Sequence, residues 1–198
     1  MSAQPNYLSV VGPVHSRRRL SFKEFEEFVY DHPELNVELA ADGQLIIMPP
    51  ASLDSSDSES EFITDIKLYA RRKGGKAPSS AVGYRLPDGN VRCPDASYVH
   101  PDKLRQLPEG ESKRLPRVVP DFVVEVKSPS DDLAELEDKM RHVWIANGVR
   151  LAWLVDVDAD KLWIYRADHS VELVSPLEGS ITGEDVLPGF EFDLGVLR

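Results

Sequence analysis

Two short segments of the chain carry acidic and basic side chains that could act together on a phosphate. The first is Pro94-Asp95. The second is Glu125-Val126-Lys127, and Glu125 follows Asp95 by 30 positions. Alternate side chains of a β-strand project from the same face, so Glu125 and Lys127 point together while Val126 points away. A lone Glu-x-Lys is more often an exposed ion pair, but the two segments in this order, on predicted strands, favour a site.

The chemistry that suits these residues is metal-dependent hydrolysis. If the strand that begins at Val91 pairs beside the strand that ends at Lys127, Asp95 lies next to Glu125. Adjacent carboxylates raise each other's pKa, and Mg²⁺ or Mn²⁺, which prefer oxygen ligands, remove that conflict. The cation would polarise a phosphate and acidify a bound water, while the lysine holds that water or offsets charge on the phosphate. The residues are therefore suited to hydrolysing a phosphodiester bond.

Capping signals and apolar stripes predict two helices in the first half of the chain. Ser21 with Glu24 forms a capping box that opens a helix ending before Pro33. Ser58 with Glu61 forms a second capping box, and the helix that it opens ends at Gly74.

Turn signals predict two hairpins around the second helix. The first joins strands over 36–40 and 44–48 through Asp42-Gly43, and the second joins 81–86 and 91–99 through Pro87-Asp88-Gly89-Asn90. Residues 100–117 are polar and contain prolines, so we expect a loop there.

A strand–helix–strand unit follows this loop. A β-rich run ends at Lys127, an amphipathic helix opened by Ser130 ends at Gly148, and a buried strand spans 151–155. Such a unit implies a right-handed crossover between parallel neighbours. A strand is expected further on, at 161–165, and one or two more short strands or loops at 171–174 and 187–192. We therefore predict an α/β fold in which helices pack on a mixed central β-sheet.

The composition is that of a folded protein without a membrane segment. The chain has 198 residues, of which 41% are hydrophobic and 29% charged, which suits one domain over residues 21–198 preceded by a loose arm over 1–20. No apolar stretch is long enough to cross a bilayer, and no secretory signal opens the sequence, so a cytoplasmic protein is expected.

Two kinds of site are excluded by residue counts and spacing. Cys93 is the single cysteine, which rules out an internal disulfide and a multi-cysteine zinc site, and we expect it to be a buried structural thiol. The five histidines form no zinc-binding pattern.

The net charge of −11 limits how the protein can contact DNA. Proteins that depend on phosphate contacts are usually basic, so any such contact must use local patches. The candidates are basic clusters, each of which could equally be a solvated face: Arg17 to Arg19, Arg71 to Lys73 with Lys76, and Lys103, Arg105, Lys113, Arg114 and Arg117.

The order Pro94-Asp95, Glu125-x-Lys127 and then an amphipathic helix resembles the PD-(D/E)XK nuclease superfamily. A longer set of motifs resembles one family within it, the Uma-type restriction endonucleases, over about residues 20 to 195. These motifs are Glu38-Leu39 with Gly43, Met48-Pro49-Pro50, the run from Leu86 to Asp95, the run from Pro120 to Pro129, Lys139, and Gly148 followed by Trp153-Leu154-Val155-Asp156. The segment after Pro50 lacks the histidine or the glycine-rich stretch of many members.

The resemblance implies a restriction-endonuclease-like core and a role for each matching residue. Asp95 and Glu125 would be metal ligands for Mg²⁺ or Mn²⁺, and Lys127 the catalytic lysine. Glu38 would assist the metal or the water, although it could also be an exposed hairpin carboxylate. Lys139 would support the site from the following helix, although it could instead form an i,i+4 ion pair with Glu135.

Three functions are compatible with these observations. The first is a Mg²⁺-dependent endonuclease that hydrolyses phosphodiester bonds in DNA, with DNA as its partner and, by analogy with the fold, a homodimer as one arrangement. The second is a catalytically silent module that retained the nuclease fold and binds nucleic acid or protein. The acidic net charge and the lack of a DNA-reading motif favour this alternative. The third is a metal phosphoesterase with a smaller substrate.

Overall fold

The computed structural model describes residues 12–198, which form two five-stranded sheets and a short two-stranded one. The first sheet is antiparallel, with the order β1-β3-β2-β5-β4. Its strands are β1 (Val14–Arg19), β2 (Val37–Leu39), β3 (Gln44–Ile47), β4 (Tyr84–Arg85) and β5 (Val91–Arg92).

The second sheet is mixed and has the order β10-β9-β8-β7-β6. Its strands are β6 (Ala96–Tyr98), β7 (Phe122–Val126), β8 (Leu151–Asp156), β9 (Lys161–Arg166) and β10 (Val171–Val174). β7 and β8 are parallel, and the other neighbours are antiparallel. The mixed central sheet and the parallel strand–helix–strand unit that the sequence predicts are therefore confirmed.

Helices connect and cover these sheets. They are α1 (Phe22–Asp31), α2 (Leu53–Lys73), α3 (Pro101–Gln106) and α4 (Leu133–Asp138), and α4 continues directly into a π-helical segment over Lys139–Ile145. Short 3₁₀ turns lie at Glu111–Lys113 and Leu194–Leu197, and the small sheet pairs β11 (Ser180–Thr182) with β12 (Glu191–Asp193). No helix within residues 12–198 is long and apolar enough to span a membrane.

Two faces of the mixed sheet carry separate cores. Phe122 and Trp153 point to one face, where they pack with Phe62 of α2. Val123 points to the other face and packs with Trp144 of the π-helical segment. Glu125 follows Val123 by two positions, so strand alternation sends its side chain to the face of the π-helical segment.

The capping signals are half right. Ser21 and Glu24 form the predicted capping box at the start of α1. The second box is wrong, because α2 begins at Leu53 with Ser52 as its N-cap, and Ser58 is buried inside the helix. The Ser52 side chain accepts a hydrogen bond from the backbone N–H of Ser55 at 3.1 Å, which starts the helix about one and a half turns earlier.

Three other segments differ from the expectation. Residues 14–19 of the expected loose arm form β1, because they pair with β3; residues 1–11 lie outside the described part of the chain. The expected strand over 91–99 splits into β5 and β6, since Pro94 cannot donate a hydrogen bond to a strand ladder. The expected loop over 100–117 contains α3, which Pro101 and the His100 cap initiate.

Candidate active site

Asp95 and Glu125 lie opposite each other on neighbouring segments. Ala96 of β6 pairs with Val124 of β7, and the same antiparallel register carried one residue further sets Asp95 opposite Glu125. The Oδ2 atom of Asp95 accepts a hydrogen bond from the backbone N–H of Val126 at 2.6 Å. The structure therefore brings together the two carboxylates that the sequence singles out.

The π-helical segment supplies two side chains to Glu125. The Oε1 atom of Glu125 lies 2.9 Å from Nζ of Lys139, and it accepts a hydrogen bond from Nε1 of Trp144 at 2.7 Å. Lys139 and Trp144 are five positions apart, which in an α-helix would point them about 140° away from each other. The wider i→i+5 turn of a π-helix brings such residues towards one face, so this local geometry allows both side chains to reach one carboxylate.

Glu38 enters the same cluster from the antiparallel sheet. Its Oε1 atom accepts a hydrogen bond from the backbone N–H of Cys93 at 2.9 Å and lies 3.3 Å from Nζ of Lys139. Its Oε2 atom accepts a hydrogen bond from Nη1 of Arg92 at 2.8 Å. Glu38 is only 3% exposed, so the alternative that it is an exposed hairpin carboxylate is wrong. Lys139 likewise pairs with Glu38 and Glu125 rather than with Glu135.

Lys127 follows the end of β7 and contacts a different carboxylate. Its Nζ atom lies 3.8 Å from Oδ2 of Asp156 and 3.4 Å from the backbone oxygen of Ser128. Among residues 12–198, its ion-pair partner is Asp156 and not Asp95 or Glu125. Lys139 is thus the amine that contacts the carboxylates, whereas Lys127 stands beside them at the strand end, with longer contacts of its own.

The segment after Lys127 is tied to α2 as well as to α4. The hydroxyl of Ser128 donates a hydrogen bond to the hydroxyl of Ser55 in α2 at 3.2 Å. The expected start of the next helix at Ser130 is wrong, because the N-cap of α4 is Asp132. Ser128 links the end of β7 to the first turn of α2, which fixes the segment that carries Lys127.

The pKa values of the two facing carboxylates, Asp95 and Glu125, are both raised. Burial, and then the charge of Glu125, raise the pKa of Asp95 well above its usual value, although the Val126 hydrogen bond opposes the rise. Burial also raises the pKa of Glu125, and the ammonium of Lys139 limits that rise. A cation placed between these groups would therefore stabilise their ionised forms.

The charges around Glu38 balance differently. Burial acts to raise the pKa of Glu38, but Lys139 and Arg92 outweigh it, and the pKa lies below its usual value. The pKa of Lys139 is raised, because the charges of Glu125 and Glu38 outweigh the opposing effect of burial. Glu38 and Lys139 consequently form a buried ion pair, and Glu125 shares the same ammonium.

Cys93 lies beside this cluster, and its Sγ atom lies 3.8 Å from the backbone oxygen of Val37. Burial, and then the charge of Glu38, raise the pKa of the thiol to about 12. A thiol with such a pKa is a poor nucleophile, which agrees with the expected structural role.

Three residues of the cluster were not identified as functional from the sequence: Arg92, Trp144 and Asp156. Trp144 belongs to the predicted amphipathic helix, and its indole N–H is a donor that needs a partner when buried. Arg92 and Asp156 lie inside the motifs that carried the family resemblance, so their charge within apolar strands was the available signal.

The predicted basic patches are partly neutralised by the protein itself. Arg18 pairs with Glu24, and Lys103 pairs with Asp121 at 3.0 Å. The cluster at the end of α2, Arg71 to Lys73, is exposed and forms no ion pair within the described residues.

The donor set suits a hard cation with few protein ligands. Within residues 12–198, no group of three or more His, Cys, Asp or Glu side chains is arranged to hold a metal ion. Mg²⁺, however, is commonly bound through one or two carboxylates, while water and substrate phosphates complete its coordination. Asp95 and Glu125 are a facing carboxylate pair with raised pKa values, so they fit a cation of this kind.

Comparison with known proteins adds a fold and a family. The chain is similar to a crystal structure from Anabaena variabilis ATCC 29413, described as that of "a putative nuclease", with a TM-score of 0.70 and 18% identity over 83% of this chain and 90% of that chain. At this identity the likeness concerns the fold. No curated protein matches the chain. The model of the Uma2 family, described as "Putative restriction endonuclease", matches residues 22–195. The chain therefore belongs to the Uma2 family, as the sequence motifs predict.

Proposed function

We propose that the protein is an endonuclease that hydrolyses phosphodiester bonds in DNA with the help of Mg²⁺ or Mn²⁺. The observation that carries the proposal is the convergence of Asp95, Glu125 and Lys139 from three separate elements. Burying two facing carboxylates is costly unless something compensates their charge, and the site retains both. A divalent cation held by Asp95 and Glu125 would polarise the phosphate and acidify a water molecule.

The residues around the carboxylate pair would orient and neutralise it. Trp144 and Lys139 fix Oε1 of Glu125, which leaves Oε2 as the oxygen free to face a cation. The hydrogen bond from Val126 holds Asp95 against the end of β7. We assign Glu38 the role of positioning Lys139, because the two are joined by a buried ion pair.

The two lysines would act at different points. The ammonium of Lys139 touches Glu125, so it is placed to offset charge at the carboxylates and at a phosphate bound there. Within residues 12–198, the ammonium of Lys127 is held by contacts of 3.4 and 3.8 Å, which are long enough for it to turn towards a substrate or an attacking water. This division modifies the expectation that Lys127 alone is the catalytic lysine.

A plasmid-nicking assay with Mg²⁺ or Mn²⁺ tests the proposal. We expect the full chain to nick DNA, and Glu125→Gln and Asp95→Asn to lose activity by about 100-fold or more, as removal of a main catalytic interaction commonly does. Glu191→Gln, which changes an exposed carboxylate on β12, is the matched control and should keep full activity. Activity that survives Glu125→Gln would defeat the assignment.

Metal binding is measured separately by isothermal titration with Mn²⁺ alone. We expect one binding event in the wild-type protein and none in Asp95→Asn. A protein that binds Mn²⁺ and nicks no DNA would instead be tested on smaller phosphodiesters, and a protein that binds no Mn²⁺ would be a module without this activity.

A further inference from the structure

Two arginines lie side by side at the edge of the antiparallel sheet, one on a strand and the other in the loop that precedes β7. Arg85 belongs to β4, and its backbone N–H donates a hydrogen bond to the backbone oxygen of Pro116 at 3.0 Å, which sets Arg117 beside it. Both arginines line a cavity of about 280 Å³, together with Leu86, Pro87, Gly89 and Val119. The cavity lies at the hairpin turn between β4 and β5, which precedes Asp95 in the sequence.

Neither guanidinium is neutralised by the protein. Among residues 12–198, neither side chain has a carboxylate within 4.0 Å, and the bond near Arg117 that involves Glu111 uses the backbone N–H of Arg117, not its side chain. Burial, and then the charge of Arg117, lower the pKa of Arg85, while the more distant carboxylates of Glu111 and Glu26 act in the opposite direction. The chain has 34 acidic residues for 23 basic ones, so two adjacent arginines without a partner are not explained by a shortage of acids.

Arg85 is also held in a fixed orientation. Its Cζ atom lies 3.6 Å from the centroid of the Phe22 ring in α1, an arrangement in which a guanidinium stacks on an aromatic face and keeps the donors at its edge free. A planar guanidinium with free edges matches the oxygens of a phosphate, to which it can donate two parallel hydrogen bonds. The apolar side of the cavity, formed by Leu86, Pro87 and Val119, suits the sugar of a nucleotide.

We propose that Arg85 and Arg117 bind a phosphodiester group of the DNA backbone at a position other than the cleaved one. The inference rests on the proposed nuclease function for its ligand, but on separate residues for its evidence. It also explains how a protein with a net charge of −11 could hold DNA, since a local pair of unneutralised guanidiniums acts where the overall charge does not.

The binding test uses the full chain carrying Glu125→Gln, so that the DNA is not cut, and a fluorescently labelled duplex of about 20 base pairs. We expect Arg85→Gln with Arg117→Gln to weaken binding at low salt about tenfold, and to reduce the slope of log K against log salt by about 1 to 2, as the loss of one or two phosphate contacts does. The loss should be equal for unrelated sequences, because phosphate contacts carry no sequence information.

The matched control changes the same charge elsewhere. Arg150→Gln with Arg198→Gln removes two exposed arginines that are already paired with Asp185 and Asp160, and it should leave the salt slope unchanged. If both double variants weaken binding equally, the effect is one of overall charge and the proposal is overturned. Arg117→Gln alone, which alters an exposed side chain, should give part of the loss and keeps the test decisive if the double variant does not fold.

Two further arms identify the ligand and separate this proposal from the nuclease proposal. Inorganic phosphate and a thymidine dinucleotide are titrated while the Nε–H signals of Arg85 and Arg117 are followed by NMR. A response to the dinucleotide at lower concentration supports a backbone phosphodiester, whereas a response to inorganic phosphate alone overturns it. If the wild-type protein nicks DNA while the arginine variants bind DNA normally, only this inference fails. If the arginine variants bind DNA weakly and the wild-type protein shows no metal-dependent nicking, only the nuclease proposal fails.

Discussion

Lys139 decides how the charges of the candidate site are balanced. It is 14% exposed, and its ammonium lies 2.9 Å from Glu125 and 3.3 Å from Glu38. Both carboxylates are nearly inaccessible to solvent, so they depend on this ammonium and on Arg92 for compensation. A buried ion pair contributes little net stability compared with apolar residues, but the removal of one partner leaves an uncompensated buried charge.

Replacing Lys139 with Met should therefore destabilise the protein by about 3 to 5 kcal/mol. The measurement is the free energy of unfolding at pH 7 from urea denaturation. Lys127→Met is the matched control, and it should cost less, because the contact of Lys127 with Asp156 is long at 3.8 Å. Equal losses in the two variants would show that Lys139 is not the counterion of the cluster.

At the scale of elements, the π-helical segment is what sets Lys139 and Trp144 on one carboxylate. The two residues are five positions apart, a spacing that suits a π-turn. A spacing of four would place them on one face of an ordinary α-helix, and a spacing of six would place them about 120° apart. The site therefore constrains the number of residues between them.

One-residue changes at the exposed His142 test this constraint. Deleting His142 should restore α-helical geometry with a spacing of four, and metal-dependent nicking should persist. Inserting one alanine after His142 gives a spacing of six and should reduce nicking, because Lys139 and Trp144 can then no longer contact the same carboxylate. Circular dichroism checks that both proteins fold, and nicking that survives the insertion in a folded protein would refute the role given to the segment.

The elements themselves were largely predictable from local signals. The Ser21 capping box, the turn at 87–90 and the β-rich run that ends at Lys127 identify α1, the β4–β5 hairpin and β7, because each depends on neighbouring residues in the chain. The π-helical geometry was not predictable, since the sequence from Lys139 to Ile145 has the apolar pattern of an ordinary helix. The start of α2 was misplaced because Ser58 completes a capping box with Glu61, whereas the actual N-cap, Ser52, is followed three positions later by Ser55 and forms no such box.

The candidate site was predictable in part for the same physical reason. Asp95 opposite Glu125 follows from strand pairing, which the sequence indicates. Glu38 comes from a different sheet, and its contact with Lys139 depends on how sheets and helices pack, which no local pattern encodes. The contact of Lys127 with Asp156 was not indicated either, because Asp156 belongs to β8 and the contact depends on how β7 and β8 pair.

At the scale of the whole molecule, the buried carboxylates lower the stability of the fold, and the proposed cation would restore it. Burial raises the pKa of Asp95 well above its usual value, so its folded-state pKa exceeds the pKa in the unfolded chain. Such a carboxyl group stabilises the fold only while it is protonated, and it destabilises the metal-free protein as the pH rises through the folded-state pKa. A bound divalent cation reverses this effect, because it interacts with the folded state alone.

The stabilities of the wild-type protein and Asp95→Asn should therefore change order when metal is added. In EDTA at pH 8, Asp95→Asn should melt at a higher temperature than the wild type, and the difference should shrink as the pH is lowered and Asp95 becomes protonated. With Mn²⁺ at about 100 times its dissociation constant, the wild type should gain about 2.7 kcal/mol and Asp95→Asn almost nothing. Thermal melts in the two buffers provide the measurement, and Glu191→Gln should follow the wild type in both. If Asp95→Asn gains as much from Mn²⁺ as the wild type, the cation is bound elsewhere; if it is less stable in EDTA at pH 8, Asp95 serves the fold and not a metal site.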